Sequence, residues 1–314
     1  MKLTKITLPC SRVYNLSFSK NIFVVFGGGN LYVLDTDFRI IYKYDGLKYI
    51  SNGAVSPDGR YVVAVPSGVG AQHIFMAKTS EEGMERIRIP RKNAKYTDLT
   101  YCDCIWNDDS TECSVAVSQG DLETDLQGIN LSGNVRLKYS EPLFFTSLCK
   151  SSSGMLCGTA RGIRFEAINY VVVEENGELK KRIIECYDDM ILHSQFDSKS
   201  DQFLLFGEKQ NTVYNLYGEK SNISKVYPFI KHDCLVDIFR YIKKDSGEAS
   251  TCFCPIIEDE LLFVGTMQKM YVFDFNGKTV FKKKFDFGVR KITAVKSKTI
   301  AVMDIVGISR IFEY

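Results

Sequence analysis

Short apolar runs separated by polar turns recur along the whole chain. The most distinct turn is Ser56-Pro57-Asp58-Gly59-Arg60, and the apolar run 61–65 follows it. Proline presets φ for a turn position and glycine tolerates positive φ, so this segment predicts a hairpin turn between two strands. Six other segments repeat the order of turn and apolar run, and their turns begin at Ser19, Asn107, Ser151, Asp197, Glu258 and Ser297. The pattern therefore predicts seven similar units.

The strand before each turn gives a second indication of the repeat. Aligning the seven segments places small polar or thiol residues in one column: Asn15, Asn52, Cys104, Ser147, Ser194, Cys254 and Thr293. Their mean spacing of about 46 residues is typical of a four-stranded propeller blade. Innermost strands crowd around a narrow channel, which favours small side chains. The sequence therefore predicts an all-β fold, a seven-bladed β-propeller with four-stranded antiparallel blades.

The two ends of the chain complement each other. The last unit has only three predicted strands and ends at Tyr314, whereas the first unit has a spare strand at residues 2–8. We expect the N-terminal strand to complete the last blade and close the ring, because closure protects strand edges that would otherwise be open. Residues 1–314 are accordingly expected to form a single β-propeller domain.

In two of the units the third strand ends in a similar dipeptide, Leu34-Asp35 and Phe273-Asp274. Together with the turn 56–60, this strand resembles the repeat of the WD-repeat-like superfamily of seven-bladed β-propellers. The Trp-Asp signature and the Gly-His pair of that superfamily are absent. The resemblance implies a platform for interactions with other proteins, an implication that rests on likeness of fold.

Composition limits the compartment and the class of partner. A hydrophobic share of 45% and a charged share of 25% are those of a globular protein. A formal net charge of +2 argues against nucleic acid and membrane surfaces as partners. The sequence contains no apolar run of about 18 residues and no N-terminal signal peptide, so membrane insertion is not expected. Its ten cysteines are then expected to be reduced thiols in the cytoplasm.

Two segments depart from the repeat. Residues 233–244 place Leu235, Ile238, Phe239 and Ile242 at helical spacing, which predicts a short helix. We favour a helix packed against its own blade, and the alternative is an amphipathic element presented to a partner. Residues 163–187 predict a long hairpin with Asn176-Gly177 at its tip. An ordinary outer hairpin is favoured over a projecting contact arm.

Residue types that carry chemistry are present but do not form a convincing site. The pairs Cys102/Cys104 and Cys252/Cys254 have one intervening residue, whereas zinc sites usually have two, so we interpret them as small buried residues. His193 lies on a predicted inner strand without a nucleophile motif to accompany it. Gly27-Gly28-Gly29 leads into a strand and predicts a hairpin turn, not a phosphate loop. No catalytic residue, metal ion or cofactor is predicted.

Basic residues cluster twice. The clusters are Arg86, Arg88, Arg91, Lys92 and Lys95, and Lys278, Lys282, Lys283, Lys284, Arg290 and Lys291. A solvated edge strand protected by charge is the favoured interpretation, and a patch for phosphate groups or an acidic partner is the alternative.

These observations favour a non-enzymatic scaffold that presents one propeller face to a protein or peptide partner within a complex. Position along the repeat places Arg12, Tyr49, Asp103, His193 and Arg290 near that face, and we predict them as partner-binding residues. The alternative is a propeller enzyme, a hydrolase or lyase, that acts on a small molecule at the channel mouth. An enzyme requires converging titratable groups or a metal, whereas a scaffold requires an exposed apolar or aromatic patch.

Overall fold

The structure is a computed structural model, and it describes residues 1–9, 12–27, 29–47, 50–66, 73–81, 83–88, 99–119, 123–141, 143–162, 168–186, 191–197, 200–207, 211–221 and 232–314. The chain forms seven antiparallel sheets, which are the blades of a seven-bladed β-propeller fold. Strand order within each sheet follows the sequence, as hairpin-connected strands require, except where the N-terminal strand joins the last sheet. The fold class predicted from the sequence is confirmed.

The first four blades contain strands β2 to β17. Their bounds are β2 Asn15–Ser19, β3 Ile22–Gly27, β4 Asn30–Leu34, β5 Ile40–Tyr44; β6 Ile50–Val55, β7 Tyr61–Pro66, β8 His73–Lys78, β9 Glu85–Arg88; β10 Leu99–Trp106, β11 Glu112–Gln119, β12 Glu123–Asn130, β13 Val135–Glu141; β14 Leu143–Lys150, β15 Leu156–Gly162, β16 Ile168–Glu175 and β17 Glu178–Cys186. Except for the end of β17, they lie in a compact unit formed by Leu8–Arg182.

The last three blades belong to a second compact unit, formed by Met1–Thr7 and Ile183–Tyr314. Their elements are β1 Thr4–Lys5; β18 Ile191–Asp197, β19 Gln202–Gly207, β20 Asn211–Asn215; α1 His232–Ser246; β21 Ser250–Ile256, β22 Leu261–Thr266, β23 Lys269–Asp274, β24 Thr279–Lys284; β25 Lys291–Lys296, β26 Thr299–Met303 and β27 Ser309–Glu313. A 3-10 turn, Ile257–Asp259, joins β21 to β22. The described part of the fifth blade has three strands, and Ser221 donates its backbone N–H to the Val213 carbonyl at 2.7 Å.

The N-terminal strand completes the seventh blade. In β1, Thr4 pairs with Glu313 and Lys5 with Phe312 of β27. The Ile6 N–H then donates to the Ile311 carbonyl at 2.9 Å. This pairing confirms the prediction that the first strand supplies the fourth strand of the last blade.

Buried apolar side chains pack between neighbouring blades within each unit. In the first unit, Phe26 and Val33 of the first blade share a cluster with Val62 of the second. In the second unit, Phe263 of the sixth blade shares a cluster with Ile300 of the seventh. The second blade is covered on both faces, because Val63 on its other face shares a cluster with Val115 of the third blade. Burial on both faces explains the almost continuous apolar run of its central strand.

Bulges in the innermost strands correct the column predicted from the sequence. In five blades the register shifts just before one residue, and the residues after the shift are Asn52, Asp103, Ser147, His193 and Cys252. The sequence alignment instead used Cys104, Ser194 and Cys254. A bulge inserts an extra residue into one strand, and the size of the side chains does not reveal where it lies. An alignment based on small side chains therefore chose the wrong residues in these three blades.

The dipeptides at the end of the third strand begin a repeated turn. Asp274 accepts the N–H groups of Asn276 and Lys278 on its side-chain oxygen at 3.0 and 2.9 Å. Asp35 does the same for Asp37 and Arg39, both at 2.9 Å. The short carboxylate side chain accepts backbone N–H groups of the turn and so stabilises the connection to the fourth strand. This local role explains the acidic residue.

The two departures from the repeat both have the favoured structure. Helix α1 buries Leu235, Ile238 and Ile242 in a cluster with Tyr271 and Phe273 of the sixth blade. The predicted helix thus packs against its own blade. The predicted hairpin is formed by β16 and β17, which are the outer strands of the fourth blade. Its turn residues Asn176 and Gly177 have φ values of 53° and 82°, as a type I′ turn requires. The helix is not long and apolar enough to cross a membrane, and the described residues contain no candidate membrane span.

Candidate functional site

Polar side chains on the inner strands form a ladder that joins the first four blades. Asn15 donates through Nδ2 to Asn52 Oδ1, and Asn52 Nδ2 donates in turn to Asp103 Oδ1 at 3.3 Å. The other carboxylate oxygen of Asp103 accepts the Leu148 N–H at 2.8 Å. Asp103 also accepts the N–H of Cys104 at 2.9 Å. The bonds Asn15–Asn52, Asn52–Asp103 and Asp103–Leu148 each cross from one blade to the next, so these groups hold the inner strands in place.

The predicted partner-binding residues come from both compact units: Arg12 and Asp103 belong to the first, and His193 and Arg290 belong to the second. Asp103 is half-buried on β10 and takes part in the ladder. Arg12 is exposed in the segment before β2, and its carbonyl packs against Gly27 so closely that a Cβ there would lie 1.8 Å from the oxygen. His193 lies on β18, but its side chain is outside what the structure describes, and so is all of Tyr49. Arg290 is exposed just before β25.

Six of the seven cysteines whose side chains the structure describes are buried thiols, and Cys149 is half-buried. Burial raises the pKa of Cys252 to about 12 and that of Cys254 to about 11. Cys149 and Cys157, which are cross-strand partners in the fourth blade, have sulfur atoms 3.4 Å apart. Within the described residues, no three His, Cys, Asp or Glu side chains are grouped as a metal site would need.

An exposed apolar surface lies beside Arg290. It consists of Met267 in the β22–β23 turn, Phe287 in the β24–β25 loop, and Ile305 and Val306 in the β26–β27 turn, and we call these four residues the loop patch. Phe287 is 54% exposed and Val306 is 61% exposed, although both are large apolar side chains. Such a group of exposed apolar residues on a folded protein is typical of an interaction site.

Backbone contacts hold the three segments of the loop patch together. The Ile305 N–H donates to the Phe287 carbonyl at 3.3 Å, and the Phe285 N–H donates to the Gln268 carbonyl at 2.8 Å. Gly288 lies at the contact between the β24–β25 loop and the β22–β23 turn. A Cβ at this position would be only 2.2 Å from the Met267 carbonyl oxygen. Gly288 also has a φ of +68°, which favours glycine. The turns are therefore closely packed, and the exposed side chains extend from a defined backbone.

Charges border the loop patch on one side. Arg290 and Lys291 are both exposed, and the Arg290 N–H donates to the Met303 carbonyl at 2.8 Å. Among the described residues, the Arg290 guanidinium has no ion-pair partner. In contrast, Arg310 pairs with the buried carboxylate of Asp304 at 2.8 Å, and that carboxylate also accepts the Ile308 N–H of the same turn. The apolar side chains of the loop patch thus lie next to a cation that no described residue pairs with.

The sequence predicted Arg290 as a binding residue but did not indicate the apolar residues next to it. Phe287 and Val306 occupy turns, where polar residues are the rule, and this departure from the usual pattern was the available signal. The separation of the three turns in sequence hid it, because only the fold brings residues 267, 287 and 305 together.

Comparison with known proteins identifies the fold alone. No protein family and no curated protein matches the sequence. The chain is similar in structure to hydrazine synthase of Kuenenia stuttgartiensis, with a TM-score of 0.67 and 10% sequence identity over 99% of this chain and 97% of that one. A match at this identity supports the β-propeller fold, and because 1100 solved chains match significantly, the fold does not select a function.

Proposed function

We propose that this protein is a non-enzymatic scaffold that binds a protein or peptide partner through the loop patch. The observation that carries the proposal is the exposure of Phe287 and Val306 on closely packed turns. Exposed apolar side chains of this size gain free energy when a partner removes them from water, at about 25 cal/mol per Å² of apolar surface. A rigid backbone also lowers the entropy lost on binding.

Arg290 gives the proposed surface a preferred partner chemistry. Arginine is enriched at protein interfaces and commonly binds carboxylates in a bidentate manner. We therefore expect the partner to insert an aliphatic or aromatic side chain among Met267, Phe287 and Val306 and to place a carboxylate at Arg290. Of the residues predicted from the sequence, Arg290 is retained as a binding residue in this proposal, and Asp103 is assigned to the inner-strand ladder.

We also propose that residues 1–314 work as one domain related to WD-repeat-type propellers and located in the cytoplasm. The pairing of β1 with β27 supports a single domain, because it joins the first residues of the chain to the last. The turns that begin at Asp35 and Asp274 support the relationship, since their carboxylates stand at the position of the Trp-Asp signature. Seven described cysteines with free thiols are compatible with a reducing compartment.

The test is affinity purification of the tagged full-length chain from its native cell extract. The variant Phe287→Asp/Val306→Asp alters the loop patch, and Leu137→Asp is the matched control because Leu137 is also 54% exposed, on β13. We expect a stoichiometric partner that the double variant loses and the control retains. A partner retained by both would refute the assignment of the surface. A monomer that carries a bound metal or small ligand would favour the hydrolase or lyase alternative.

A further inference from the structure

A cleft of about 590 Å³ lies between the outer strands of the first and second blades. One wall is formed by residues 41–47 on and after β5, and the other by Phe75 of β8 and Met84 and Arg86 around β9. We call it the rim cleft. Its volume is within the range of about 300–1,000 Å³ that is usual for ligand pockets.

Hydrogen bonds fix the two walls of the rim cleft relative to each other. The Tyr42 hydroxyl donates to the Ser80 carbonyl at 2.8 Å, and the Tyr44 hydroxyl donates to the Lys78 carbonyl at 2.7 Å. Both tyrosines belong to the first blade, and the acceptors belong to the second, Lys78 at the end of β8 and Ser80 in the turn that follows. The cleft is therefore already formed before a ligand binds.

The wall on the second blade has a counterpart in the sixth blade. The two blades can be aligned on the bulge of their innermost strands, since Gly53 and Phe253 stand at the same position after it. From these residues, cross-strand pairing runs outward through Ala64, Phe75 and Arg86 in the second blade. In the sixth blade it runs through Val264, Tyr271 and Lys282. Phe75 thus corresponds to Tyr271, and Arg86 corresponds to Lys282. Each position combines an aromatic ring on the third strand with a cation on the fourth.

In the sixth blade this wall is covered by helix α1. The helix packs Ile238 and Ile242 against Tyr271 and Phe273, in a cluster that also includes Val213 of the fifth blade. An amphipathic helix therefore packs against the third strands of two neighbouring blades.

A carboxylate in the last turn of α1 fixes the helix to the cations of the wall. Asp245 Oδ1 lies 3.2 Å from Lys282 Nζ, and its Oδ2 lies 2.8 Å from Lys269 Nζ. The Tyr271 hydroxyl donates to the same carboxylate at 2.7 Å. The docked helix thus satisfies both the apolar and the charged part of the wall.

In the second blade the corresponding cation lacks such a partner. Arg86 is exposed, its guanidinium lies 5.7 Å from the centre of the Phe75 ring, and no described residue forms an ion pair with it. Lys43 on the opposite wall is already paired with Asp45 at 2.6 Å. The rim cleft therefore has the aromatic ring and the cation of the helix-binding wall without the helix.

We propose that the rim cleft binds an amphipathic helix of a partner protein, with a carboxylate of its last turn paired to Arg86. By analogy with α1, the helix has apolar residues at the spacing of Leu235, Ile238 and Ile242 and an acidic residue three positions after the last of them. This site is independent of the loop patch, because the two surfaces share no residue.

The test uses the full-length chain with a photo-crosslinking residue in place of Ile41, which is 47% exposed at the cleft. The chain is irradiated in native extract, the crosslinked segment is mapped by mass spectrometry, and a synthetic peptide of that segment is titrated against the chain. The same titration is made with Arg86→Glu and with Arg88→Glu, which has the same charge change on the same strand outside the cleft lining.

The expected segment is an amphipathic helix from another protein with the stated spacing. Arg86→Glu should weaken its binding at least tenfold, whereas Arg88→Glu should change it less than threefold, and replacement of the peptide's acidic residue by lysine should restore binding to Arg86→Glu. The proposal is overturned if the segment comes from this chain or a second copy of it, if it is extended, or if Arg86→Glu binds normally. Failure of Ile41 to crosslink any segment overturns it as well.

Discussion

The carboxylate of Asp103 accepts the backbone N–H of Leu148 at 2.8 Å and so connects the third blade to the fourth. Its other oxygen accepts from Asn52 of the second blade at 3.3 Å. One side chain thus bridges three consecutive blades of the unit Leu8–Arg182. The inner strands are held by side-chain hydrogen bonds as well as by the apolar clusters between blades.

Replacing Asp103 by alanine is therefore expected to destabilise the protein. The substitution leaves the Leu148 N–H and the Asn52 amide without their acceptor, and such losses cost about 1–3 kcal/mol. The measurement is the free energy of unfolding from urea denaturation. Asp37→Ala, at an exposed turn position, is the control and should change the value by at most about 0.5 kcal/mol. Equal stability of Asp103→Ala and the wild type would show that the ladder contributes nothing.

The contact of Asp245 with the sixth blade predicts a pH dependence. Hydrogen bonds from Lys269, Tyr271 and Lys282 lower the pKa of Asp245 well below its usual range. A lowered pKa in the folded state gives stability that is complete above the unfolded pKa, about 3.9, and is lost as the pH falls through the folded value.

Asp245→Asn should therefore be less stable than the wild type at neutral pH, and the difference should shrink below about pH 4. The measurement is the midpoint of thermal unfolding of both proteins between pH 7 and pH 2. Asp237 is exposed and lacks these partners, so Asp237→Asn at pH 7 should lower the unfolding midpoint less than Asp245→Asn does. The assigned ion pairs would be contradicted if the difference in unfolding midpoint between Asp245→Asn and the wild type increased as the pH was lowered.

Gly288 and Gly307 allow the packing under the loop patch to be tested. Both have positive φ, but a Cβ at Gly288 would collide with the Met267 carbonyl, whereas a Cβ at Gly307 would meet no atom within 4 Å. Gly307→Ala should cost about 1–2 kcal/mol, the usual penalty for a side chain in the left-handed region. Gly288→Ala should cost clearly more, measured as free energy of unfolding. If the two substitutions lowered the free energy of unfolding by similar amounts, the turns under the loop patch would not be closely packed.

The cysteines should be protected from alkylation in the folded protein. Thiolate is the reactive form, and burial raises the pKa of Cys252 to about 12. At pH 8, iodoacetamide followed by mass spectrometry should label Cys252 and Cys254 only after denaturant is added. Rapid labelling of either residue in native protein would show that the inner strand of the sixth blade is open to solvent.

The regular part of the fold was predictable because each blade repeats the same order of strands and turns. The turn 56–60 and the carboxylate of Asp274 mark strand ends by their own backbone chemistry, so they can be located without knowledge of tertiary contacts. The helix was predictable for a similar reason, since the spacing of Leu235, Ile238 and Ile242 reports the buried face directly.

The candidate sites were less predictable because they depend on tertiary proximity. Met267, Phe287 and Val306 come from three turns, and nothing local to any one of them indicates that they form a surface. The inner-strand bulges had no signature either, so Cys104 was aligned where Asp103 belongs. The correspondence of Arg86 with Lys282 became visible only once the strand register was known.

The most direct test of the proposed function is site-specific photo-crosslinking at Phe287 in the full-length chain, carried out in native extract. A matched chain with the same crosslinker at Leu137, which is equally exposed, serves as the control. We predict one protein partner that is crosslinked from position 287, is absent from position 137, and is lost when Arg290 is replaced by glutamate. If position 287 captured no protein, or captured the same mixture as position 137, the loop patch would not be a partner-binding surface.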